Sequence, residues 1–318
     1  MKQLPILLLS IVLLFNHSKA QNHKFVNNSI NCTYETKDGR LNGLYVSYYK
    51  NGQKKAEGKF GNNYRIGKWT VYDSTGRFRL QREYSAPFDY TQTIFQHTAA
   101  APKEVKSSYK SKINYNSNGY IDYFELQEKM VIWTKRIWRY IAPAENKILF
   151  ENNRLYDLLL QNLSNKHITA YKDEEFSVND SVKHDASSYK VIGYKIKEDY
   201  VFDNVRSLLE TRIIGLCPVV INLQKKDTID LCWLYFPEIR KALAQEKIGH
   251  NDQTNIKTLD DLFFYRDFYG QIYKEANVYD RPINSYMKSK AEIEKESERI
   301  EISIIETEHD FWLDISGK

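Results

Sequence analysis

Apolar positions are densest between residues 189 and 240, where Val, Ile, Leu and Tyr predominate and turn residues divide the chain into three extended runs. These runs, at residues 189–197, 207–223 and 228–236, predict an antiparallel meander with a polar hairpin loop between its last two strands. Pro237 suits the first turn of a helix, where its missing N–H leaves no hydrogen bond unmade. Because a three-stranded sheet cannot cover both of its own faces, we expect neighbouring helices to form a second layer.

A helical pattern of apolar residues precedes the meander, in the segment ELQEKMVIWTKRIWRYI at residues 125–141. At about 100° per residue, one stripe of this segment is apolar and the opposite arc is basic, which predicts a helix. The stripe comprises Met130, Trp133, Ile137 and Ile141, widened by Val131, Thr134 and Trp138. The basic arc comprises Lys135, Arg136 and Arg139. This arc is either a solvated face or a surface that binds a partner.

Further patterns predict helices around the sheet, at about residues 152–163 and 237–245. The segment Thr258-Leu259-Asp260-Asp261 has the form of a capping box that begins another helix. The last helix, at roughly residues 289–310, is heavily charged and has a narrow apolar seam. The seam consists of Ile293, Ile300 and Ile304. Together with the meander, these elements predict an α+β domain at residues 121–318, in which helices cover a small antiparallel sheet and a long helix ends the chain.

Residues 42–84 contain an internal repeat, since NGLYVSYYKNG matches IGKWTVYDSTG at a displacement of 24 residues. Each unit offers an aromatic residue to both faces of a strand and ends in a turn sequence, Asn51-Gly52 or Thr75-Gly76. The pattern predicts stacked antiparallel β-hairpins and resembles the bacterial variant of the MORN repeat. We assign residues 21–84 to this repeat domain and residues 85–120, where periodicity is lost, to a linker.

The first twenty residues have the pattern of a secretory signal peptide. Lys2 provides a positive start, residues 4–15 form an apolar region, and Ser18-Lys19-Ala20 has the form of a cleavage site. No later segment approaches the roughly twenty apolar residues that a transmembrane helix needs. We therefore expect an exported, soluble chain.

Charge and motif content narrow the function further. The chain has 46 Lys and Arg residues against 41 Asp and Glu, a formal net charge of +5, and the basic residues form no single patch. This distribution argues against nucleic-acid binding. The seven histidines are scattered, and the sequence contains neither H-E-x-x-H, nor Cys-x-x-Cys, nor G-x-S-x-G. We therefore expect no catalytic residue, no cofactor and no metal site.

The three cysteines, Cys32, Cys217 and Cys232, are compatible with an exported protein. Cys217 and Cys232 lie on either side of the predicted hairpin, so that they face each other if the register is right. They either form a disulfide or are buried thiols that pack as small hydrophobic residues, and the sequence leaves both readings open.

Six ordered blocks of the second domain resemble one protein family. In chain order they are VIWTKRIWRYI; LYDLLLQNL with ITAYKDEEF after it; KEDYVFDNVRSLLETRIIGLCPV; WLYFPEIRKALA; LDDLFFYRDFYGQIYKEANVYDRPI; and EHDFW. Over residues 125–312 these blocks are similar to the gliding-motility protein N family, called GldN or PorN. Members of this family are structural subunits of the type IX secretion system.

The resemblance implies a periplasmic subunit at the inner face of the outer membrane, without enzyme activity. It implies self-association into a ring with an outer-membrane lipoprotein of the K type, and contact with the periplasmic part of the motor component M. Partner contacts are then expected from the predicted first helix and from the turn before the last helix. The candidates are Trp133, Lys135, Arg136, Trp138, Arg139, Tyr279, Asp280 and Arg281. The alternative is a periplasmic adaptor whose MORN-like repeats engage a protein, peptidoglycan or the membrane surface.

Overall fold

The computed structural model describes residues 20–95, 103–106, 114–179, 188–249 and 256–317. These residues form two antiparallel sheets and a small number of helices, which confirms the predicted α+β class. The predicted signal peptide lies outside the described residues, apart from Ala20.

The first part of the chain forms a sheet of eight strands in sequential order, here called the N-terminal sheet. Each strand runs antiparallel to the next, as expected when short turns join neighbours. The strands are β1 (Gln21–Val26), β2 (Asn31–Lys37), β3 (Arg40–Tyr48), β4 (Lys54–Gly61), β5 (Tyr64–Tyr72), β6 (Phe78–Ala86), β7 (Asp89–Ile94) and β8 (Lys103–Lys106).

The sequence repeat corresponds to two equivalent hairpins, β3–β4 and β5–β6. Tyr45 and Trp69, which occupy matching positions, are both fully buried, and their ring centroids lie 6.0 Å apart. Gly52 and Gly76 adopt φ angles of 85° and 86° in the two turns, a conformation that glycine reaches without steric cost. The prediction of antiparallel hairpins is therefore confirmed, including the position of their turns, and the two hairpins pair edge to edge within one sheet.

The N-terminal sheet continues beyond the repeat into the segment that the sequence assigns to a linker. In β7, Tyr90 and Gln92 are buried while Thr91 between them is exposed, which is the alternation of a half-buried strand. Strand β8 then pairs with β7. At these two strands the expected linker is instead part of the sheet. The sequence analysis did not detect β7 because its alternation of Tyr and Gln with Thr is short and mostly polar.

The second part of the chain forms another antiparallel sheet, whose strands differ in length and which is here called the C-terminal sheet. Its seven strands are β9 (Val131–Ile141), β10 (Ala170–Tyr171), β11 (Tyr189–Asp203), β12 (Leu208–Asn222), β13 (Thr228–Asp230), β14 (Trp233–Tyr235) and β15 (Gln271–Glu275). The spatial order is β10-β14-β12-β11-β9-β15, with β13 paired to β12. The predicted meander is present as β11 and β12, of 15 residues each, followed by a third run that is divided into β13 and β14.

Strand β9 shows that the prediction of a helix at residues 125–141 is wrong. β9 pairs with β11 on one side and with β15 on the other, and a single 3-10 turn at Glu128–Met130 precedes it. Its β-branched and aromatic residues favour a strand between two neighbours, although their spacing also fits a helical stripe. Alternate side chains of β9 point to opposite faces of the sheet, so the basic residues do not share one arc.

The other predicted helices are confirmed. Pro237 lies in the first turn of its helix, and Thr258 and Asp261 form a capping box in which each side chain accepts from the other residue's backbone N–H. The α-helices of the described residues are α1 (Lys147–Phe150), α2 (Arg154–Ser164), α3 (Phe236–Gln245), α4 (Leu259–Phe264) and α5 (Lys290–Gly317). Two further 3-10 turns lie at Glu151–Asn153 and Ile283–Ser285.

Helix α5 lies between the two sheets and belongs to the core of each. Ile300 and Ile304 pack on the C-terminal sheet against Ile137 of β9. Ile305 and Trp312 pack on the N-terminal sheet in a separate apolar cluster. The predicted isoleucine seam is therefore only one of two buried faces, and α5 joins the repeat region to the rest of the chain.

We expect Trp312→Ala to destabilise the fold by about 3–5 kcal/mol, the usual loss when a buried Trp is truncated. Trp312 is 0% exposed, and its ring lies 6.3 Å from that of Trp69 in β5. Urea unfolding followed by far-UV circular dichroism measures the effect. Tyr279→Ala, at a side chain that is 71% exposed, is the control and should stay within about 0.5 kcal/mol. A loss at Trp312 as small as that of the control would contradict the role given to α5.

Candidate functional site

A cleft of about 340 Å³ lies where the N-terminal sheet, the C-terminal sheet and α5 meet. Aromatic rings and charged side chains from all three elements line it. The aromatic residues include Tyr34, Tyr64, Tyr84, Phe88, Phe264 and Tyr269, and the charged residues include Arg65, Arg139, Arg266, Glu294, Glu298, Glu301 and Glu308. Opposite charges therefore face each other inside the cleft, and their pairing decides what the site can do.

Arg139 of β9 organises one charged wall of the cleft. Its guanidinium donates to Glu198 at 2.8 Å and to the Tyr200 hydroxyl at 2.9 Å, and it forms an ion pair with Glu301 of α5 at 2.5 Å. Arg266 forms a second ion pair with Glu198, which is fully buried. Burial by itself raises the pKa of Glu198, but the two guanidinium groups hold that pKa below its ordinary value. The network keeps Glu198 ionised and links β9, β11 and α5.

A second group of ion pairs joins the N-terminal sheet to the end of α5. Lys55 of β4 contacts Glu306 at 2.9 Å and Asp310 at 2.6 Å, and Arg65 of β5 contacts Glu308 at 2.6 Å. Removing one partner of a buried pair leaves an uncompensated charge in a medium of low dielectric constant, which is strongly unfavourable. These pairs therefore hold α5 in one position against the N-terminal sheet.

His309 lies at the centre of this second group and is fully buried. Its Nδ1 is 3.0 Å from Glu306, and its Nε2 is 3.4 Å from a guanidinium nitrogen of Arg65. Because a guanidinium can only donate, Nε2 accepts and the Nδ1–H donates to Glu306, which defines the neutral tautomer. Burial lowers the pKa of His309, and the nearby Glu306 carboxylate offsets this only in part. His309 is therefore a neutral group that joins α5 to the N-terminal sheet.

The charged groups described above that line the cleft are used in contacts between elements of the chain. Glu298 of α5 accepts from the Tyr34 hydroxyl at 2.5 Å, so this carboxylate too is used to hold the N-terminal sheet. Within the described ranges, no group of three or more His, Cys, Asp or Glu side chains is placed to bind a metal ion. None of the helices in those ranges has the length and apolar character needed to cross a bilayer.

The candidate contact residues of β9 lie on both faces of the C-terminal sheet. Trp133, Lys135 and Arg139 face α5: the Trp133 ring is 6.3 Å from that of Phe311, and Lys135 forms an ion pair with Glu275 of β15. Arg139 is only 5% exposed and is occupied by the network described above. The hypothesis that the basic residues form one docking arc on a helix therefore loses its geometric basis.

Arg136 and Trp138 lie on the opposite face of the C-terminal sheet. Arg136 makes a bidentate ion pair with Asp199, at 2.7 and 2.8 Å, and its side chain is 39% exposed. Trp138 is 2% exposed, with the ammonium groups of Lys197 and Lys274 5.7 and 4.2 Å from its ring. Of the basic residues in β9, Arg136 is the most accessible to a partner.

The three candidates that precede α5 lie together on a protruding turn, residues 276–281, here called the exposed turn. Asp280 forms an ion pair with Lys274 of β15 at 3.0 Å, and the Arg281 guanidinium lies 5.0 Å from the Tyr279 ring. Val278 and Tyr279 are 93% and 71% exposed, the highest values among the large hydrophobic residues described. A fixed turn that presents Val, Tyr and Arg to solvent has the composition of a protein-binding site.

Two exposed features are not predicted from the sequence: one residue of the exposed turn, and a separate pocket. Sequence reasoning selected Tyr279, Asp280 and Arg281 but not Val278, whose significance depends on its being at the tip of a turn. It also missed a shallow pocket of about 400 Å³ around Ile148, because that residue and the buried Leu149 form one apolar run in the sequence. The pocket is lined by Pro143, Lys147, Ile148, Phe150 and Glu151.

Cys217 and Cys232 are present as buried thiols without a disulfide bond. The register of β12 shifts by one residue between the Val219–Asp230 and Leu216–Leu234 pairs, so Cys217 shares a face of the sheet with Trp233 and not with Cys232. Cys217 packs against Trp138 on one face of the C-terminal sheet, whereas Cys232 belongs to the main core with the helices. The two cysteines are therefore close along the paired strands, but their side chains lie on opposite faces of the sheet.

These observations define a class of protein in which buried charged side chains hold the fold together. Its exposed turn is suited to binding another protein. The family model described as Gliding motility associated protein GldN matches residues 126–188 and 178–313, more than half of the chain. The chain therefore belongs to this family, and it is a component of the gliding-motility and type IX secretion machinery. No curated protein matches it.

We expect the stability of the protein to fall as the pH is lowered through about 6.5, the ordinary pKa of His. The pKa of buried His309 is depressed in the folded state, so the unfolded chain binds a proton more readily, and stability is lost on acidification by up to about 1.4 kcal/mol per pH unit. Urea unfolding between about pH 5 and 8 measures this slope. His309→Gln should flatten it and His167→Gln, at an exposed position after α2, should not; equal slopes in all three proteins would contradict the assignment.

Thiol titration tests the state of the cysteines. We expect the folded chain to react slowly, since all three cysteines are buried, and the unfolded chain to show three thiols with or without prior reduction. One thiol before reduction and three after it would instead demonstrate a disulfide between Cys217 and Cys232.

Proposed function

We propose that the protein is a non-enzymatic, periplasmic structural subunit of the type IX secretion and gliding-motility machinery. In this proposal it self-associates into a ring with an outer-membrane lipoprotein of the K type, at the inner face of the outer membrane. It also contacts the periplasmic part of the motor component M. The family match over residues 126–313 supports the machinery, and the exposed turn is the structural observation that carries a role in assembly.

The interior of the molecule supports a structural role. A ring subunit must keep its shape while it is in contact with several neighbours, and the ion pairs described above hold both sheets on α5. Their charges are mostly buried: the side chains of Lys55, Arg139 and Glu198 are 13%, 6% and 0% exposed. Such groups are committed to the fold, so partners must be recognised by the surface.

The exposed turn supports direct contact with a partner. Covering the adjacent Val278 and Tyr279 side chains with a partner would remove apolar surface from water, and Tyr and Arg are enriched at the energetic centres of interfaces. The turn is also held in place, because the Asn277 side chain accepts from the Tyr279 N–H at 2.9 Å and Lys274 pairs with Asp280. A fixed turn loses little conformational entropy on binding.

One observation favours the alternative, an adaptor that binds through its MORN-like repeats. Leu44 of β3 and Ile66 of β5 are 44% and 45% exposed on the outer face of the N-terminal sheet. Both are in register with Lys59 of β4, so the three side chains form a row across the hairpins. This row is the surface through which a repeat-driven adaptor would bind.

Affinity purification of the tagged full-length chain from gently solubilised envelopes tests the proposal. We expect recovery of the K-type lipoprotein and of the M-type motor component. Substituting Val278→Ser together with Tyr279→Ala should reduce that recovery by about tenfold or more, as for the loss of an interface hot spot. Val205→Ser, at a Val that is 47% exposed in another turn, is the matched control and should have no effect.

The outcomes separate the two functions. Recovery of neither component with the unaltered chain would reject the ring role. Loss of a different envelope partner on Leu44→Ser with Ile66→Ser, while the exposed-turn variant keeps that partner, would establish the adaptor. Deletion of the whole N-terminal sheet is less informative, because it would uncover the buried Trp312 face of α5.

A further inference from the structure

We infer that the exposed turn of one copy of the chain inserts into the shallow pocket around Ile148 of a neighbouring copy, so that copies associate head to tail. The inference rests on the proposed function, which requires self-association, and it names the two surfaces involved. It is carried by their positions, their shapes and their charges.

The two surfaces lie at opposite ends of the β9–β15 pair. The Ala276 N–H, at the start of the exposed turn, donates to the Arg136 carbonyl at 2.9 Å, whereas the pocket begins at Pro143, just after Ile141 ends β9. Five residues of strand separate Arg136 from Ile141, which is about 17 Å. One copy therefore presents the turn at one end and the pocket at the other, the arrangement that a head-to-tail contact needs.

The shapes and apolar groups are complementary. The turn is convex and ends in Val278 and Tyr279. The pocket is concave, and its apolar lining is formed by Pro143, Ile148 and Phe150, of which Ile148 is 45% exposed. Phe150, which lines the pocket, is held in place by the core, because its ring centroid lies 5.0 Å from that of Tyr194. Burying the Val and Tyr side chains in this pocket would remove apolar surface of both copies from water.

The charges are complementary as well. Arg281 lies beside Tyr279 on the turn, and Glu151 lines the pocket with Glu145 nearby in the chain. Among the described residues, none of these three side chains takes part in an ion pair within the chain. Asp280 shares Lys274 with Glu174, so Arg281 is the cation of the turn that is left without a carboxylate partner among the described residues, while two acidic residues and Lys147 leave the pocket region negative. Opposite charges at an otherwise apolar contact favour this pairing and its orientation.

A cross-linking experiment in envelopes tests the contact directly. Two differently tagged full-length copies are produced together, one carrying Tyr279→Cys and the other Ile148→Cys, and a mild oxidant is added. The three native cysteines are buried and do not compete. We expect a cross-linked dimer that carries both tags, since a disulfide requires the two Cα atoms to come within about 7 Å. Val205→Cys paired with Ile148→Cys is the control and should cross-link at least about tenfold less, because its Cα lies outside that distance.

A charge exchange tests the same contact independently of cysteine. Arg281→Glu and Glu151→Lys, made singly, should each reduce the co-purification of the two tagged copies by about tenfold. The two substitutions combined in every copy restore opposite charges across the contact and should recover most of the association. A merely structural effect of either substitution would not be rescued by the other.

The possible results distinguish the inference from the function on which it rests. If the tagged copies co-purify but the Tyr279→Cys and Ile148→Cys copies do not cross-link, the contact is wrong while the proposed self-association stands. Efficient cross-linking of Tyr279→Cys copies to each other would indicate a two-fold contact and also overturn the inference. If the unaltered copies do not co-purify at all, both the inference and the proposed self-association fail.

Discussion

The fold depends on the burial of helix α5 on two sides at once. One row of its apolar residues completes the core of the C-terminal sheet, and another, ending in Trp312, completes the core of the N-terminal sheet. Neither sheet is self-sufficient, because a single layer leaves one apolar face open to water. A helix with so many acidic residues can occupy this position since Lys55, Arg65 and Arg139 of the two sheets neutralise it.

This arrangement changes what the repeat region means for function. A chain of β-hairpins suggests a detachable binding module, but here the inner face of the hairpins is filled by α5 and by Phe202 and Leu208 of the C-terminal sheet. The repeats are therefore part of the body of the subunit, and the surface they leave for other molecules is their outer face. The region shares one apolar core with α5 and with strands of the C-terminal sheet.

The sequence predicts those features that arise from local pattern. Turn glycines, the capping box at Thr258 and Asp261 and the extended run that begins β11 are each set by a few adjacent residues, and they are found as expected. Strand β9 is not predictable in this way, because its pairing with β11 and β15 decides between two patterns that its sequence fits equally. The candidate contact residues show the same difference. Tyr279 is exposed, as a contact residue must be, whereas Arg139 is buried and paired with Glu301, which is more than 150 residues away in the chain.

The bond between Tyr45 and Glu306 closes a loop of 261 residues. A chain synthesised from its N-terminus makes the hairpins of the N-terminal sheet first, yet α5, which covers their inner face, begins more than 200 residues after β6 ends. Before α5 packs on that face, its apolar side chains are not covered, and the sheet is incompletely packed. Packing of the first part of the chain thus depends on α5, and loss of the segment around Trp312 would expose the inner face of the N-terminal sheet.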